Sequence, residues 1–423
     1  MSGPFASREA MASYQVAQLR QLIGTILPGN EFYRAKLGRL NSAIASVEDF
    51  AERFPFTTKQ ELVDDQRSHP PFGTNLTFPL TNYARYHQTS GTTSTPLRWL
   101  DTPESWQWMV GNWKEIYRAA GVVAGDRVYF AFSFGPFIGF WLAFEAAQQI
   151  GCLCIPGGGL STQGRLRAIL ENRATVVCCT PSYAAHLAEA AGRENFDRKA
   201  LAVRVMIVAG EPGGSVPATR RRLEELWPGT RIFDHHGMTE TGPVSHECPS
   251  NPGTLHILDR AYLAEFVDAQ GKAARAGELG ELVLTVLGRT GSPLLRYRTG
   301  DLARAGCPCA CGQPGTALPG GLLGRTDEMV IVRGVNVYPT AVEDVLRGFS
   351  EIVEYEVAVD RSRDLVELSL RIEPRADGAE TETLAGRVQL ALHGVFNLRV
   401  PVVLAPAGSL PRFEMKAKRW KYI

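Results

Sequence analysis

The chain has 423 residues, more than one ordinary domain and enough for two, and its 45 basic and 44 acidic side chains nearly cancel. With no segment concentrating Lys and Arg, that balance excludes the basic face of a nucleic-acid binder. The most apolar uncharged stretch, Val128 to Phe144, is shorter than the ~20 residues of a spanning helix and is broken by Gly135, Pro136 and Gly139, so no membrane span is expected.

The first residues, MSGPFASREAMASYQ, hold no basic region followed by an apolar run, so no targeting signal is expected. Eight cysteines in such a chain point to the reducing cytoplasm, with core thiols or a metal site rather than a disulfide framework. Residues 8–70 read as helical, with Leu19, Leu22, Ile23 and Leu27 near a 3.6 period and a break at Pro28 and Gly29. Within them Thr57 or Thr58 opens a helix, with Glu61 as the capping-box partner of Thr58. From 105 to 235 the pattern alternates: helices over 104–119, 137–150, 163–172, 182–191 and 215–227 precede the strands RVYFAF, CLCIP, TVVCCT, VRVMIVAG and RIFDHHG. Such alternation predicts parallel strands with crossover helices, an α/β sheet whose ligands sit beyond the carboxyl ends of the strands. From 254 to 333 TLHIL, AYLAEFVDA, GELVLTVL and EMVIVRG read as strands of a β-rich region. A last α/β unit follows, with helices over 340–348 and 380–394 and strands over 352–359 and 364–373, joined by a hinge near Arg325 to Asp327.

Three segments carry chemistry. TSGTTSTP (Thr89 to Pro96) offers amides and hydroxyls to phosphate oxygens, although it lacks the lysine of an ordinary phosphate loop and by itself reads equally as a surface loop. RIFDHHGMTETG ends a strand in Thr239 and Glu240, a hydroxyl for phosphate and a carboxylate for Mg²⁺, or else a carboxylate at a helix N-terminus. LLRYRTGDLA places Asp301 after a Thr-Gly turn, where a carboxylate can accept from the two hydroxyls of a ribose or cap its own turn. Apart from these, CPCACG with HEC and GTLH supplies enough soft ligands for a tetrahedral zinc ion. Cys152, Cys154, Cys178 and Cys179, on apolar strands, read as core packing.

TSGTTSTP, AGEPGG, HHGMTE, YRTGD, GRTDEMVIVRGVNVYP and LPRFEMKAKRW occur in the order and at about the spacing of the adenylate-forming acyl-CoA synthetase superfamily. The chain most resembles its phenylacetate-CoA ligase branch, to which FPFTTKQEL and RGVNVYPTAVEDVL point, and the resemblance covers nearly the whole chain. It implies an α/β fold: a large N-terminal adenylate-forming domain over 1–326, with parallel sheets and a β-rich subdomain, and a small mobile α+β lid over 327–423. It also implies ATP-dependent conversion of a small aromatic carboxylic acid to an acyl-adenylate and transfer to coenzyme A, with release of AMP and pyrophosphate. A carrier-protein pantetheine or an amine is the alternative acceptor, and a non-catalytic zinc-stabilised nucleotide-binding protein is a third reading. A homodimer accords with the family.

Carried over residue by residue, Ser90, Gly91, Thr92 and Thr93 would wrap the β and γ phosphates, while Thr239 would touch the α phosphate and Glu240 would hold Mg²⁺. Gly210, Glu211 and Pro212, with Asp234, His235 and His236, would line the adenine pocket. Asp301 would take the ribose hydroxyls, Arg325 would belong to the same nucleotide site, and Asp327 would mark the hinge. Lys416 would bring a cation between the attacking carboxylate and the α phosphorus; the family's usual glycine before it is Met415 here. Lys418, Arg419 and Lys421 read equally well as a solvated face. The acid would enter at SFGPFIGF, where Phe134, Phe137, Ile138 and Phe140 make an apolar slot over Ala209, Gly210 and Gly237. Pro136 and Phe140 depart from the family's Tyr- and Gly-rich version, which moves the expectation from phenylacetate toward an amino- or hydroxybenzoate or another small aromatic acid. Relatives' E-C, G-x-H and C-x-C-G order selects Cys248, His256, Cys309 and Cys311 for zinc, with Cys307 and His246 as alternatives.

Overall fold

A computed structural model describes residues 5–423 apart from 90–95, 194–195, 197–199, 305, 307, 334, 362–365, 376–380 and 414–416. Ser90, Gly91, Thr92, Thr93, Cys307, Met415 and Lys416 therefore lie outside the described residues.

The helical N-terminal stretch divides into α1 (Arg8–Ile26), α2 (Glu31–Leu37), α3 (Val47–Arg53) and α4 (Lys59–Ser68). Each starts where a side chain can replace the missing acceptors of the first turn: Ser7, Asn30, Ser46 and Thr58 all accept a backbone N–H. At α4 the capping box forms in full, Thr58 Oγ1 accepting from Glu61 N at 3.2 Å and Thr58 N donating to Glu61 Oε2 at 2.7 Å.

An antiparallel pair, β1 (Arg85–Gln88) and β2 (Arg98–Asp101), flanks the Ser/Thr/Gly loop. Then α5 (Pro103–Ala119), β3 (Arg127–Phe130), α6 (Ile138–Ile150), β4 (Leu153–Pro156), α7 (Thr162–Glu171), β5 (Val176–Cys179), α8 (Pro181–Arg193), β6 (Val205–Val208), α9 (Pro217–Leu226) and β7 (Arg231–Met238) follow the predicted alternation. The strands β4, β3, β5, β6 and β7 are parallel. Every residue of β5 and β6 is buried, because helices cover both faces. On one face α5 contributes Trp106, Met109, Val110, Trp113, Ile116 and Tyr117 at helical spacing, joined by α6. On the other, α7, α8 and α9 supply Leu166, Ile169, Tyr183, Leu187 and Leu223.

Next come β8 (Gly242–Cys248), β9 (Asn251–Ile257), β10 (Tyr262–Val267), β11 (Leu279–Val286), β12 (Tyr297–Arg304), β13 (Ala317–Pro319) and β14 (Gly324–Arg325). The predicted grouping changes here: β8, β9 and β13 extend the parallel sheet antiparallel, in the order β13-β9-β8-β7-β6-β5-β3-β4, so TLHIL belongs to that sheet. A separate sheet takes β10, β11, β12 and β14. The last part has β15 (Val330–Val332), β16 (Val335–Val337), α10 (Pro339–Arg347), β17 (Ile352–Asp360), β18 (Glu367–Pro374), α11 (Thr381–Phe396), β19 (Val402–Leu404) and β20 (Trp420–Tyr422). Its core runs from Val330 to Val402 without a residue from the large sheet, so EMVIVRG packs here rather than in the β-rich region. Of the four cysteines read as core packing, Cys178 and Cys179 are buried, and Cys152 and Cys154, at the edge of the sheet, are half-buried and pack against the same core. Among the described residues no helix is long and apolar enough to cross a membrane.

His87 stacks on Trp106 with ring centroids 5.2 Å apart, and burial lowers its pKa from 6.5 to about 4. The folded state thus refuses a proton that the unfolded chain accepts below pH 6.5, and the stability tied to a neutral His87 is lost as pH falls through that window. In denaturant titrations between pH 7 and pH 4, the wild-type chain should lose up to about 3 kcal/mol relative to His87→Gln. Parallel stability curves would refute this.

Candidate active site

Residues proposed for the nucleotide gather where the parallel strands end. The loop Ala209–Pro212 follows β6, and Asp234, His235 and His236 lie on the last half of β7. The strand predicted for RIFDHHG runs on through Met238 into a hairpin with β8. Gly237 is needed there: a Cβ would stand 2.9 Å from the Gly242 carbonyl oxygen and 3.2 Å from Pro243 Cα, across the point where the register shifts. The turn of this hairpin holds Thr239 and Glu240, which rules out the helix N-terminus as the reason for Glu240.

A buried cation holds the turn. Arg289, without solvent exposure, gives two hydrogen bonds of 2.7 Å to the carboxylate of Asp101 and donates through Nη1 to the carbonyls of Thr239 and Glu240 at 2.8 Å each. Tyr262 donates to the Thr241 carbonyl at 2.9 Å. With its backbone fixed, Glu240 keeps a buried carboxylate with Lys59 Nζ at 3.4 Å and the Tyr297 hydroxyl at 3.5 Å from Oε1. An oxygen ligand already facing a cation has the chemistry to hold Mg²⁺, which would neutralise phosphate charge.

Two other carboxylates are tuned in opposite directions. Asp301 on β12 is buried, which pushes its pKa up, but His236 Nε2 at 3.2 Å and Arg325 Nη1 at 2.7 Å from its oxygens outweigh burial and hold it below the ordinary value. Arg325 also grips Asp327 through Nε and Nη2, at 2.9 and 3.1 Å. Asp234, by contrast, is raised to about 7 by burial, even though Ser215 Oγ donates to it at 2.6 Å. Its neighbour His235 is lowered to about 3 by burial and lies edge-on to Trp113, 4.5 Å between centroids. Glu211 bridges two backbone amides, accepting from Ser182 N and Ala417 N at 2.8 Å each.

After β3, Phe140 stacks on Phe132 at 3.9 Å and meets Phe137 edge-on at 6.1 Å, while Phe134 packs against Trp141 at 4.9 Å. Phe134, Phe137 and Phe140 are half-buried, whereas Ile138 sits in the core at 3% exposure. Gln88 N donates to the Pro136 carbonyl at 2.8 Å, tying this segment to β1 and the Ser/Thr/Gly loop.

At the far edge of the large sheet, one ligand atom each from Cys248, His256, Cys309 and Cys311 lies within 4.8 Å of the others; His246 stays outside this cluster and instead contacts the Glu247 carbonyl through Nδ1 at 2.9 Å. Cys309 and Cys248 sulfurs are 3.8 Å apart and Cys311 Sγ is 3.4 Å from His256 Nε2. A tetrahedral ion with Zn–S bonds of ~2.3 Å and Zn–N bonds of ~2.0 Å requires edges of about 3.8 and 3.5 Å, so these residues fit zinc.

Asp101, Arg289, Lys59 and Tyr297 escape sequence reasoning; only Thr102, next to Asp101, carries a local signal, as the N-cap of α5.

A family model for the AMP-binding enzymes matches residues 53–287, and one for the AMP-binding enzyme C-terminal domain matches 334–421. The chain belongs to the AMP-binding enzyme family. It is 33% identical to a phenylacetate-coenzyme A ligase of Thermus thermophilus over 96% of this chain and 95% of that protein, and 31% identical to one of Pseudomonas putida over 97% and 94%. Among solved structures it resembles 2-hydroxyisobutyryl-CoA ligase in the postadenylation state with 2-HIB-AMP, at TM-score 0.93 and 27% identity over 99% of this chain and 90% of that one. The same ligase in its thioesterification state gives 0.73. This family member is thus an AMP-forming acid–CoA ligase.

Replacing Asp101 with Ala leaves the Arg289 charge buried and unpaired, which should cost about 3–5 kcal/mol in chemical denaturation. Asp101→Ala with Arg289→Met should recover most of that stability. A single variant as stable as the wild type would remove Arg289 from its place as the anchor of the turn.

Proposed function

We propose that the enzyme activates a small aromatic carboxylic acid, forming an aryl-adenylate and then an aryl-CoA. The observation that carries the substrate class is the wall of half-buried Phe140 and Phe137 on buried Phe132, tied through Pro136 and Gln88 to the strand leading into TSGTTSTP. Stacked and edge-on rings suit an aryl group, and the tie keeps its carboxylate near the phosphates.

In this reading Ser90, Gly91, Thr92 and Thr93 hold the departing pyrophosphate and Thr239 the α phosphate. Asp301, kept ionised by His236 and Arg325, accepts from the ribose hydroxyls, and Asp234, His235, His236 and the Gly210–Pro212 loop line the base. Lys416 brings the cation that lets carboxylate approach phosphate, and Glu240 would hold Mg²⁺, which would supply neutralisation of the phosphate charge. Asp327, between β14 and the C-terminal core, is the hinge that divides 1–326 from 327–423. Zinc on Cys248, His256, Cys309 and Cys311 pins the segment before β13 to β8 and β9. We assign the enzyme to the cytoplasm, where such thiolates stay reduced.

Incubation with ATP, Mg²⁺, CoA and a panel of aromatic and small aliphatic acids should give AMP and an aryl-CoA by mass spectrometry, and Phe140→Ala should lower kcat/KM for the aryl acid about tenfold. Turnover of aliphatic acids alone would sink the substrate class, and acid-dependent pyrophosphate exchange without an aryl-CoA would move the acceptor to a carrier protein or an amine. Metal analysis of the purified chain should find one zinc per chain, and Cys309→Ala should lose it and melt several degrees lower. A metal-free wild-type chain with the same melting temperature would reject the site.

A further inference from the structure

Three hydrogen-bonded contacts join the C-terminal part to the large domain on one face, and their chemistry suggests a specific task. Arg419, read from sequence as equally well a solvated tail residue, is 7% exposed. Its Nε and Nη2 bond Glu354 of β17 at 2.6 and 3.2 Å, Nη1 lies 3.5 Å from Glu343 of α10, and its plane lies 5.0 Å from the Tyr355 ring. These contacts fix the guanidinium within the C-terminal part. From there Nη1 and Nη2 both reach Ser182 Oγ of α8 at 3.2 Å. Two residues earlier, Ala417 N donates to Glu211 Oε2, and Glu211 Oε1 accepts from Ser182 N, which closes a ring of contacts across the two parts. The third contact, Ala218 N to Asp344 Oδ1 at 3.1 Å, caps α9, whose own N-cap Val216 has no side-chain acceptor.

We propose that Arg419 and Ser182 form an interdomain clasp that positions the C-terminal segment for adenylation and has to release for thioester formation. The inference rests on the two-step reading above, in which Lys416, directly before Ala417, serves the first step. Two observations support it. The domain arrangement matches the postadenylation state of 2-hydroxyisobutyryl-CoA ligase far better than its thioesterification state, with TM-scores of 0.93 and 0.73. Each of the three contacts is a hydrogen bond across the boundary, which water can replace when the parts separate, whereas each part keeps its own apolar core. Ser182 and Arg419 are therefore positioning residues.

The test separates the half-reactions. Acid-dependent ATP–pyrophosphate exchange reports the first step, and release of aryl-CoA from synthetic aryl-adenylate and CoA reports the second. Ser182→Ala leaves the backbone bond to Glu211 and the Arg419–Glu354 pair intact, so it should fold normally. It should slow exchange about fivefold or more and leave the second step unchanged or faster, while Ser182→Thr restores exchange and Arg419→Lys repeats the split. Loss of both half-reactions in proportion, or of neither, overturns the clasp. A wild-type chain that catalyses no exchange with any acid overturns instead the reading on which the clasp rests.

Discussion

A guanidinium sealed from water must have its charge matched and its donors satisfied inside the protein, and the way Arg289 meets that demand organises the centre of the molecule. Arg289 follows β11, and its partners come from two distant places: Asp101 at the end of β2 and the carbonyls of Thr239 and Glu240 at the tip of the β7–β8 hairpin. One cation thus ties the end of β2 to the hairpin tip that carries Glu240. Aiming two successive carbonyls at Arg289 also leaves the Glu240 side chain free to face Lys59 and Tyr297. A looser backbone would give up that orientation, since a buried carboxylate moves toward whatever donor it can reach.

Around this anchor, neighbouring carboxylates differ in charge because their surroundings differ. Asp301 has the Arg325 guanidinium and the His236 imidazole beside it and is held ionised, while Asp234 has one hydroxyl and a burial cost that raises it to about 7. Near neutrality, then, Asp301 is an ionised acceptor neutralised by Arg325, and Asp234 on the Ser215 side is balanced between acceptor and donor. Such asymmetry suits a ligand with hydroxyls at one end and mixed donors and acceptors at the other. Arg325 extends the pattern to Asp327, so the side chain that steadies Asp301 also touches the proposed hinge.

The C-terminal part is built for separation. Its own sheet and helices enclose a complete core, and β14, the last strand paired with the large domain, ends only five residues before Val330 enters that core. Among the described residues, Arg419, Ala417 and Asp344 reach the large domain through directional polar contacts, which water can replace. A family that runs two chemistries in one cleft needs such an interface, since an apolar one of the same size would hold the lid in one state.

Residues close in sequence settled much of this. The capping box at Thr58 and Glu61 and the alternation of β3 through β7 with their helices were legible because period and caps are written in neighbouring residues, whereas the four members of the Cys/His cluster came from the resemblance to relatives, and the turn expected before Asp301 is part of β12. Tertiary structure decided the rest. Lys59 meets Glu240 only because α4 packs near the hairpin tip, and nothing near Asp101 in sequence announces Arg289. The strand read at RIFDHHG turns back on itself only because β8 supplies its hydrogen bonds. Arg419 looks like one more basic residue of a tail, and it is buried because α10, β17 and α8 close over it. Whether a charge is solvated, paired or sealed depends on which distant elements fold across it, and that information does not reside in the local sequence.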